Sequence, residues 1–450
     1  MLNMNLYLSI VYIILIAKFF YPFTIRYFGF PELPPFTIQF LIFGLFVIIY
    51  LTKYINNKNF VITNSIFNRY KYSILLFVVV ILISSVVNNN NILLVLKSIF
   101  DYDLIYLLLF LAVIELGLDE LAQEQFVKFI YALIFLQIPV VVFQYFIIGY
   151  SDADSISGTI ASMNVGGTGI MAILMTFLLS FVISLILLRG LTIARLILVL
   201  SATIPVIIGG ARISLLLFPF TIFSTIFSFF IFNRNIKLKT IIKVTIIFII
   251  FSISFVFIFI EIIPQTKFAK FIDYNTISSI KNIEKYDSSN DYKESRIQGY
   301  YLLFNEVFKS NTNVLLGMGN DVITQSKSAG TKNLKFSFLY DRPDAMMLLA
   351  STGIIGLGLI IAILLLCIPT LIKYVHHESS VFMKVVNYSF IPITFNVIIS
   401  LFYTLTWSSH IGLIYWILLA ILFQRIYVLR QIDILKNTIP IMGKPVVAST

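Results

Sequence analysis

The chain has 450 residues, of which 59% are hydrophobic and 12% are charged, and its formal net charge is +11. Soluble domains carry roughly 25% charged residues, so this composition excludes a soluble globular protein. Uncharged apolar windows of about 20 residues recur along the chain. A helix of this length crosses a bilayer, whereas a membrane β-barrel would show shorter alternating segments. The composition therefore predicts an all-α integral membrane protein.

About twelve apolar segments are long enough to be transmembrane helices, and they fall into two groups. Nine belong to an N-terminal bundle, residues 1–263, and three belong to residues 345–430, which a tail of residues 431–450 follows. The predicted helices of the first group cover residues 5–22, 35–52, 72–88, 101–117, 127–148, 168–188, 191–208, 213–232 and 241–262. Those of the second group cover residues 345–371, 386–406 and 410–428. Asp101 and Asp103 crowd the start of the fourth segment.

One polar interruption, residues 264–344, separates the two groups of helices. It contains eleven Lys or Arg residues and nine Asp or Glu residues. After Arg296, its apolar residues recur with the spacing of a short amphipathic helix that lies on a membrane surface. This is the only large loop among many short ones, and we expect the chemistry of the protein to take place there.

The distribution of Lys and Arg predicts how the chain crosses the membrane. With the N-terminus in the cytoplasm, the inner connections hold Lys53, Lys58, Arg69, Lys71, Arg189, Arg195, Arg234, Lys237, Lys239, Lys243, Lys373, Lys384, Arg425, Arg430, Lys436 and Lys444. The short outer connections keep Lys18, Arg26, Lys97 and Arg212. By the positive-inside rule, both termini are cytoplasmic and the large loop faces outward. The same rule accounts for the net charge, so no nucleic-acid partner is predicted.

The chain lacks the common motifs of soluble catalysis. Zinc-ligand spacing, a Walker sequence, a nucleotide-binding glycine pattern and Gly-x-Ser-x-Gly are absent from the sequence. Cys367 is the single cysteine, so no internal disulfide can form, and the first helix lacks the basic segment of a cleavable signal. An enzyme outside the cytoplasm cannot count on ATP and would need an activated substrate supplied in the membrane. No cofactor and no metal are predicted.

Arg212 lies in a tight turn, Gly209–Ser214, between two predicted spans on the side where cations are scarce. One interpretation is an arginine that snorkels to lipid headgroups. The other is an anion clamp, because a guanidinium binds phosphate through two parallel hydrogen bonds and the flanking glycines let a phosphate approach the backbone. Arg296, taken by itself, indicates a solvated charge on the loop helix.

Further candidates lie towards the end of the polar loop and after it. Gly317 and Gly319 follow a short apolar run, where a glycine pair forms a turn more often than a phosphate cradle. Arg342 and Asp344 precede the tenth span, either as interface anchors or as a phosphate ligand and an acid/base at the mouth of a lipid-accessible cavity. His410 is the only histidine predicted on the outer face, and it is a candidate proton acceptor.

The order of these pieces resembles that of the polysaccharide polymerase and O-antigen ligase superfamily of bacterial envelopes. The resemblance covers roughly residues 155–425 and consists of five features in the same order. The first two are a Gly-Thr pair near an Asn (Gly158–Thr159 with Asn164) and an arginine turn between two spans (Arg212). The other three are an arginine that opens a loop helix (Arg296), a Gly-x-Gly (Gly317 with Gly319), and an Asp nine residues before Gly-Ile-Ile-Gly (Asp344 with Gly353–Gly356). The sequence departs from the family at two positions. Ala211 replaces a Ser or Thr, and Arg342 stands where the ligases usually carry a histidine, which favours the polymerase branch.

The resemblance implies a metal-independent membrane glycosyltransferase that joins undecaprenyl-pyrophosphate-linked oligosaccharide units into O-antigen, capsule or exopolysaccharide. Its place would be the outer face of the bacterial inner membrane, with lipid-linked donor and acceptor as partners; a chain-length regulator and a flippase could be further partners. The predicted catalytic residues are Arg296, Asp344 and His410, with either Asp344 or His410 as the proton acceptor. The predicted substrate-binding residues are Arg212, Arg296, Arg342, Gly317, Gly319 and Asn164. An O-antigen ligase and a lipid-linked oligosaccharide flippase stay open as alternatives. A flippase would show internal repeats and charged residues within its spans, and neither is evident in the sequence.

Overall fold

The described part of the chain is helical throughout and contains no strand. The computed structural model describes residues 4–31, 37–56, 58–61, 64, 67–149, 156–160, 167–209, 211, 213–232, 246, 250, 296–322, 339, 343–407 and 409–438. The predicted all-α class is therefore confirmed for these residues. Most of the predicted helix at 241–262 and most of the polar loop lie outside them.

The described residues form sixteen α-helices. The α-helices are α1 (Met4–Phe28), α2 (Thr37–Ile55), α3 (Asn68–Val87), α4 (Ile92–Ser98), α5 (Ile105–Glu115), α6 (Glu120–Phe135), α7 (Gln137–Phe146), α8 (Thr168–Arg189), α9 (Ile193–Gly209), α10 (Ser214–Phe232), α11 (Arg296–Leu302), α12 (Asn311–Leu316), α13 (Asp344–Leu365), α14 (Cys367–Tyr374), α15 (Val381–Leu401) and α16 (His410–Thr438). Two π-helical turns, Ile99–Asp103 and Leu303–Val307, extend α4 and α11, and short 3-10 turns cover Gly158–Ile160 and Val375–His377.

Many of these helices have the length and composition of membrane spans. Within the described residues, nine stretches qualify: Leu6–Phe28, Thr37–Ile55, Asn68–Val87, Glu120–Phe146, Thr168–Arg189, Ser214–Phe232, Asp344–His377, Val381–Leu401 and His410–Ile432. Helices α5 and α9 are equally apolar but shorter. The protein is thus a multi-pass helical membrane protein.

Three helices begin before the positions that hydropathy predicts, because polar side chains cap them. Asn91 accepts a hydrogen bond from the Leu93 amide (2.9 Å) and starts α4 nine residues before the predicted position 101. Asp119 in the same way caps α6 through the Ala122 amide (2.8 Å). Ser380 caps α15 at Val381, five residues before the predicted start. N-capping residues lie just outside an apolar window, so a window average does not detect them.

Helices α8 and α16 form the centre of the bundle. Helix α8 packs against α9, α10 and α15, and α16 packs against α5. The indole of Trp416 is fully buried and meets the rings of Phe110 and Trp407 edge-on, at centroid distances of 5.3 and 5.1 Å. Helix α2, in contrast, exposes Phe40 and Leu51, as expected for a helix that faces lipid.

Helix termini gather at two ends of the bundle. One end, which we call the loop end, contains the ends of α1, α3, α7, α9 and α15, the starts of α8, α10, α13 and α16, and the short helices α11 and α12. The opposite end, which we call the basic end, is fastened by a buried ion pair. There the Arg425 guanidinium makes two hydrogen bonds of 2.8 Å to the Glu378 carboxylate and a further contact of 2.8 Å to Glu120.

Candidate functional site

The described residues include some of the predicted site residues and exclude others. Asp344, His410, Gly317 and Gly319 are described with their surroundings, and Arg296 is described as the first residue of α11. The remaining three, Asn164, Arg212 and Arg342, lie outside the described residues. All of the described candidates lie at the loop end.

Asp344 is fully buried at the start of α13 and joins three parts of the loop end. The Tyr102 hydroxyl donates a hydrogen bond to its Oδ1 atom, from the π-helical turn before α5. The backbone amides of Thr406 and Trp407 both donate to its Oδ2 atom, from the turn between α15 and α16. The Asp344 amide in turn donates to the Thr404 carbonyl, at 3.3 Å.

These contacts define what Asp344 can do chemically. A carboxylate is an acceptor, and here three donors already occupy it. The geometry therefore makes Asp344 a residue that holds the turn of residues 404–407.

His410 lies three residues after Trp407 and is the first residue of α16. Its Nε2 atom is 2.8 Å from the backbone carbonyl of Lys18 in α1, and its ring meets that of Phe19 edge-on at 5.2 Å. Because a carbonyl can only accept, Nε2 carries the proton, and the neutral imidazole has its lone pair on Nδ1. In this tautomer, Nδ1 is the atom that can accept a proton.

The predicted glycine pair forms a turn that packs against a break in α13. Backbone amides of Met318 and Gly319 donate to the carbonyls of Ala350 and Ser351, at 2.8 and 3.0 Å. At Gly353, α13 departs from helical geometry with φ +64° and ψ −163°. The two carbonyls lie where the break removes their partners within the helix, and the loop replaces those partners.

Both sides of this contact require glycine. A Cβ atom on Gly317, whose φ is +70°, would lie 2.6 Å from the backbone of Ser351 and Thr352. One on Gly353 would lie 2.3 Å from the Leu315 carbonyl oxygen. The amides of this turn therefore bind α13 in this structure and do not face a phosphate site. In the structure, the two glycines fasten the loop to the bundle.

The end of α3 completes this anchor, and the sequence analysis did not single it out. The Ser84 hydroxyl donates to the Ser351 carbonyl (2.9 Å), and the Asn88 amide group donates to the Gly317 carbonyl (3.1 Å). The Asn90 amide group donates to the Met318 carbonyl (3.2 Å). A signal for this role was present in the sequence. The pair Ser84–Ser85 and the run Asn88–Asn91 interrupt the apolar pattern at the end of α3.

A second anchored segment contains the Gly158–Thr159 pair. Two glutamines of α7, two turns apart, hold it inside the bundle. Gln144 accepts from the Gly158 amide (2.9 Å) and donates to the Gly158 carbonyl (2.8 Å). Gln137 accepts from the Thr159 amide (2.8 Å) and donates to the Thr159 hydroxyl (2.8 Å). Gly158 has φ +67°, and a Cβ atom there would lie 2.3 Å from the Gln137 Oε1 atom.

This segment lies beside the end of α9. The Thr168 hydroxyl at the start of α8 donates to the Ile156 carbonyl, at 2.8 Å. Gly209, the last residue of α9, packs closely against the same threonine. A Cβ atom on Gly209 would lie 2.8 Å from the Thr168 methyl group. Ala211, two residues after Gly209, is also buried. The 156–160 segment and the end of α9 therefore form one packed unit.

The helix that Arg296 opens is attached to the same end of the bundle. In α11, the Tyr300 hydroxyl donates to the Phe402 carbonyl at 3.2 Å, just before the turn that Asp344 holds. Leu303 and Val307, in the π-helical turn that follows, are completely buried. The helix that begins at Arg296, the turn at Gly317 and Gly319, Asp344 and His410 are thus all attached to the loop end of the bundle.

The chain matches no model of a known protein family and no curated protein sequence.

Proposed function

We propose that the protein is a membrane glycosyltransferase that joins lipid-linked oligosaccharide repeat units into a polysaccharide. The observation that carries the proposal is the convergence of Asp344, His410 and the Arg296 helix at the loop end, in a chain whose motifs follow the order of the polymerase family. The activity class is a polymerase that uses undecaprenyl-pyrophosphate-linked substrates. The polysaccharide product is O-antigen, capsule or exopolysaccharide.

The proposed location is the bacterial inner membrane, with both termini in the cytoplasm and the loop end facing outward. Cation placement supports this orientation. Lys53 lies in the last turn of α2, Arg189 ends α8 and Lys373 lies in the last turn of α14, all at the basic end. Arg195 and Arg425 lie there too. The described cations of the loop end are fewer and include Arg26 in the last turn of α1, Arg296 at the start of α11 and Lys309. The donor and the acceptor then reach the site from the outer leaflet.

In the proposed reaction, a hydroxyl of the acceptor sugar attacks the anomeric carbon of the donor. His410 Nδ1 takes the hydroxyl proton as the new glycosidic bond forms. The bond between the anomeric carbon and the pyrophosphate oxygen breaks at the same time, and the lipid pyrophosphate leaves with the electron pair. The leaving group already carries the activation, so the step needs neither ATP nor a metal. Asp344 positions the turn that precedes His410.

Arginines stabilise the negative charge that develops on the departing pyrophosphate. Arg212 and Arg296 are assigned to this role, with Arg342 as a third ligand and Asn164 as a polar contact to the substrate. Gly317 and Gly319 contribute indirectly, because their anchor fixes the loop that contains Arg296 and Arg342. A chain-length regulator and a flippase are the proposed protein partners.

The test is the surface glycan of cells that lack the gene, resolved by gel electrophoresis. Loss of a polymerase leaves single repeat units attached to the cell surface. Loss of a ligase leaves no attached glycan, and loss of a flippase keeps the lipid-linked repeats on the inner leaflet. Either of the last two patterns would overturn the proposal. Restoration by the wild-type gene is the control.

A further inference from the structure

Buried polar side chains line the contact between α8, α10 and α15. We call this contact the polar seam. It consists of Thr176, Ser180 and Ser184 from α8, Thr221, Thr225 and Ser228 from α10, and Ser389, Asn396 and Ser400 from α15, all of which are buried. The α8 residues recur at every fourth position and so lie on one face of that helix. The three helices are neighbours that pack against one another.

Hydrogen bonds between the helices account for part of the seam. The Asn396 amide group donates to the hydroxyls of Thr176 and Thr221, at 3.2 and 2.8 Å. The Thr176 hydroxyl in turn donates to the Ile173 carbonyl at 2.6 Å, and the Thr221 hydroxyl donates to the Leu217 carbonyl at 2.5 Å. The donor groups of Asn396, Thr176 and Thr221 therefore all have acceptors.

A proline in α15 leaves one backbone carbonyl of the polar seam without its usual partner. Pro392 lies inside α15 and has no amide hydrogen, so it cannot donate to the carbonyl of Tyr388 four residues earlier. The Ser228 hydroxyl of α10 donates to that carbonyl instead, at 2.9 Å. A hydrogen bond between helices thus takes over from one within a helix.

Three polar atoms of the seam have no hydrogen-bond partner in the described structure. They are Asn396 Oδ1, Ser180 Oγ and Ser184 Oγ, and all three residues are completely buried. Other seam hydroxyls bond their own helix, as Thr225 does to the Thr221 carbonyl (2.6 Å). Leaving polar atoms unpaired in a bilayer is costly, and such groups call for a ligand.

We propose that the polar seam binds a short file of water molecules, held by Asn396 Oδ1, Ser180 Oγ and Ser184 Oγ. Water suits these groups because every one of them is neutral and the serine hydroxyls can both donate and accept. A buried water makes about three hydrogen bonds, which matches a site shared between helices.

The seam also continues towards the candidate site. The Thr406 hydroxyl donates to Ser400 at 3.0 Å, and the Thr406 amide donates to Asp344. The polar path therefore runs from the turn under Asp344 to the middle of the bundle. The inference does not depend on the proposed function, because it rests on the polar atoms of the seam alone.

The experiment uses the infrared S–H band of single cysteines in the full-length protein. Cys367→Ala removes the native thiol, and Ser180→Cys or Ser184→Cys then places one thiol in the seam. In D2O, a thiol beside water exchanges its proton and its S–H band disappears. Leu179→Cys is the matched control, because this fully buried leucine neighbours Ser180 on the same helix but is not part of the seam. Gel filtration of each variant checks that it is folded.

We expect exchange at positions 180 and 184 within the time in which the control keeps its S–H band. Persistence of the band at both seam positions would overturn the inference, because it would show that the seam is dry. Equal exchange at all three positions would overturn it too, since water would then not be confined to the seam.

Discussion

The Tyr102 hydroxyl donates a hydrogen bond to the Asp344 carboxylate, although the two residues are 242 positions apart in the sequence. Tyr102 lies in a π-helical turn, where the backbone departs from regular α-helix. Such turns are frequent at functional sites. The contact joins the N-terminal bundle to the start of α13, so it ties together the two parts of the chain that the polar loop separates.

We expect Tyr102→Phe to lower the free energy of unfolding by about 1.5–3 kcal/mol, because it removes a buried hydrogen bond to a charged group. Thermal unfolding in detergent measures the change. Tyr54→Phe is the control, since that side chain is 74% exposed. Equal stability of the two variants would contradict the importance of this contact.

Gly353→Ala should destabilise the protein by about 2 kcal/mol or more, because the residue has a positive φ and its Cβ atom would collide with the Leu315 carbonyl. Gly358→Ala in the same helix offers a matched comparison. A Cβ atom on Gly358 meets nothing within 4 Å, so this change should be neutral or stabilise the helix by about 0.5–1 kcal/mol. Thermal melting of both variants tests the break in α13, and a similar melting temperature would argue against it.

Gln144→Leu should cost about 3 kcal/mol of stability. The substitution leaves the buried Gly158 amide and carbonyl without partners, and each such group costs about 1–3 kcal/mol. Gln39→Leu, in a partly exposed position of α2, should have little effect. Melting temperatures at matched protein concentration distinguish the two variants. A stable Gln144→Leu protein would mean that the glutamine does not hold the segment.

His410→Gln should reduce polymer formation by about a hundredfold or more, because a general base contributes roughly 10²–10⁴ to a rate. Glutamine keeps an amide donor for the Lys18 carbonyl but has no basic nitrogen. His376→Gln, in the 3-10 turn after α14, should leave polymer length and amount unchanged. The readout is the surface polymer at matched protein level. Normal long chains from the His410 variant would remove this residue from the mechanism.

Arg212→Ala and Arg296→Ala should each abolish nearly all activity, and the corresponding lysine variants should keep little. Loss of one charge-assisted contact to the transition state costs about 2–4 kcal/mol, or roughly a hundredfold in rate or more. Lysine replaces only part of a two-bond contact to pyrophosphate. Expression and membrane insertion should be normal. Activity of purified protein in the presence of a chelator is the companion measurement, and a strict need for added divalent metal would contradict the mechanism.

Hydropathy predicted the long spans well, because the bilayer fixes their length. Helix α8 was predicted at 168–188 and observed at Thr168–Arg189, and α10 was predicted at 213–232 and observed at Ser214–Phe232. Helix starts were predicted less well wherever a cap lay outside the apolar run, as Asn91 does. These boundaries depend on single polar side chains, which a window average hides.

The contacts of the candidate site depend on tertiary structure, and only part of them could be expected from the sequence. Tyr102 looked like one more aromatic residue at the start of an apolar segment, since its partner lies in a distant part of the chain. Gln137 and Gln144 offered a better signal, because two amides on one face of an apolar helix need partners. The glycine pair at 317 and 319 is visible in the sequence, where such a pair indicates a turn. Their backbone partners in α13 became visible only in three dimensions.

The break at Gly353 has a consequence for how the chain is made. Met318 and Gly319 leave the ribosome before Ala350 and Ser351, whose carbonyls they bind. Hydrocarbon supplies no donor for such carbonyls. The amides of Met318 and Gly319 are thus already synthesised when α13 enters the membrane. The order of translation therefore supplies the hydrogen-bond donors before the two carbonyls of α13 that need them.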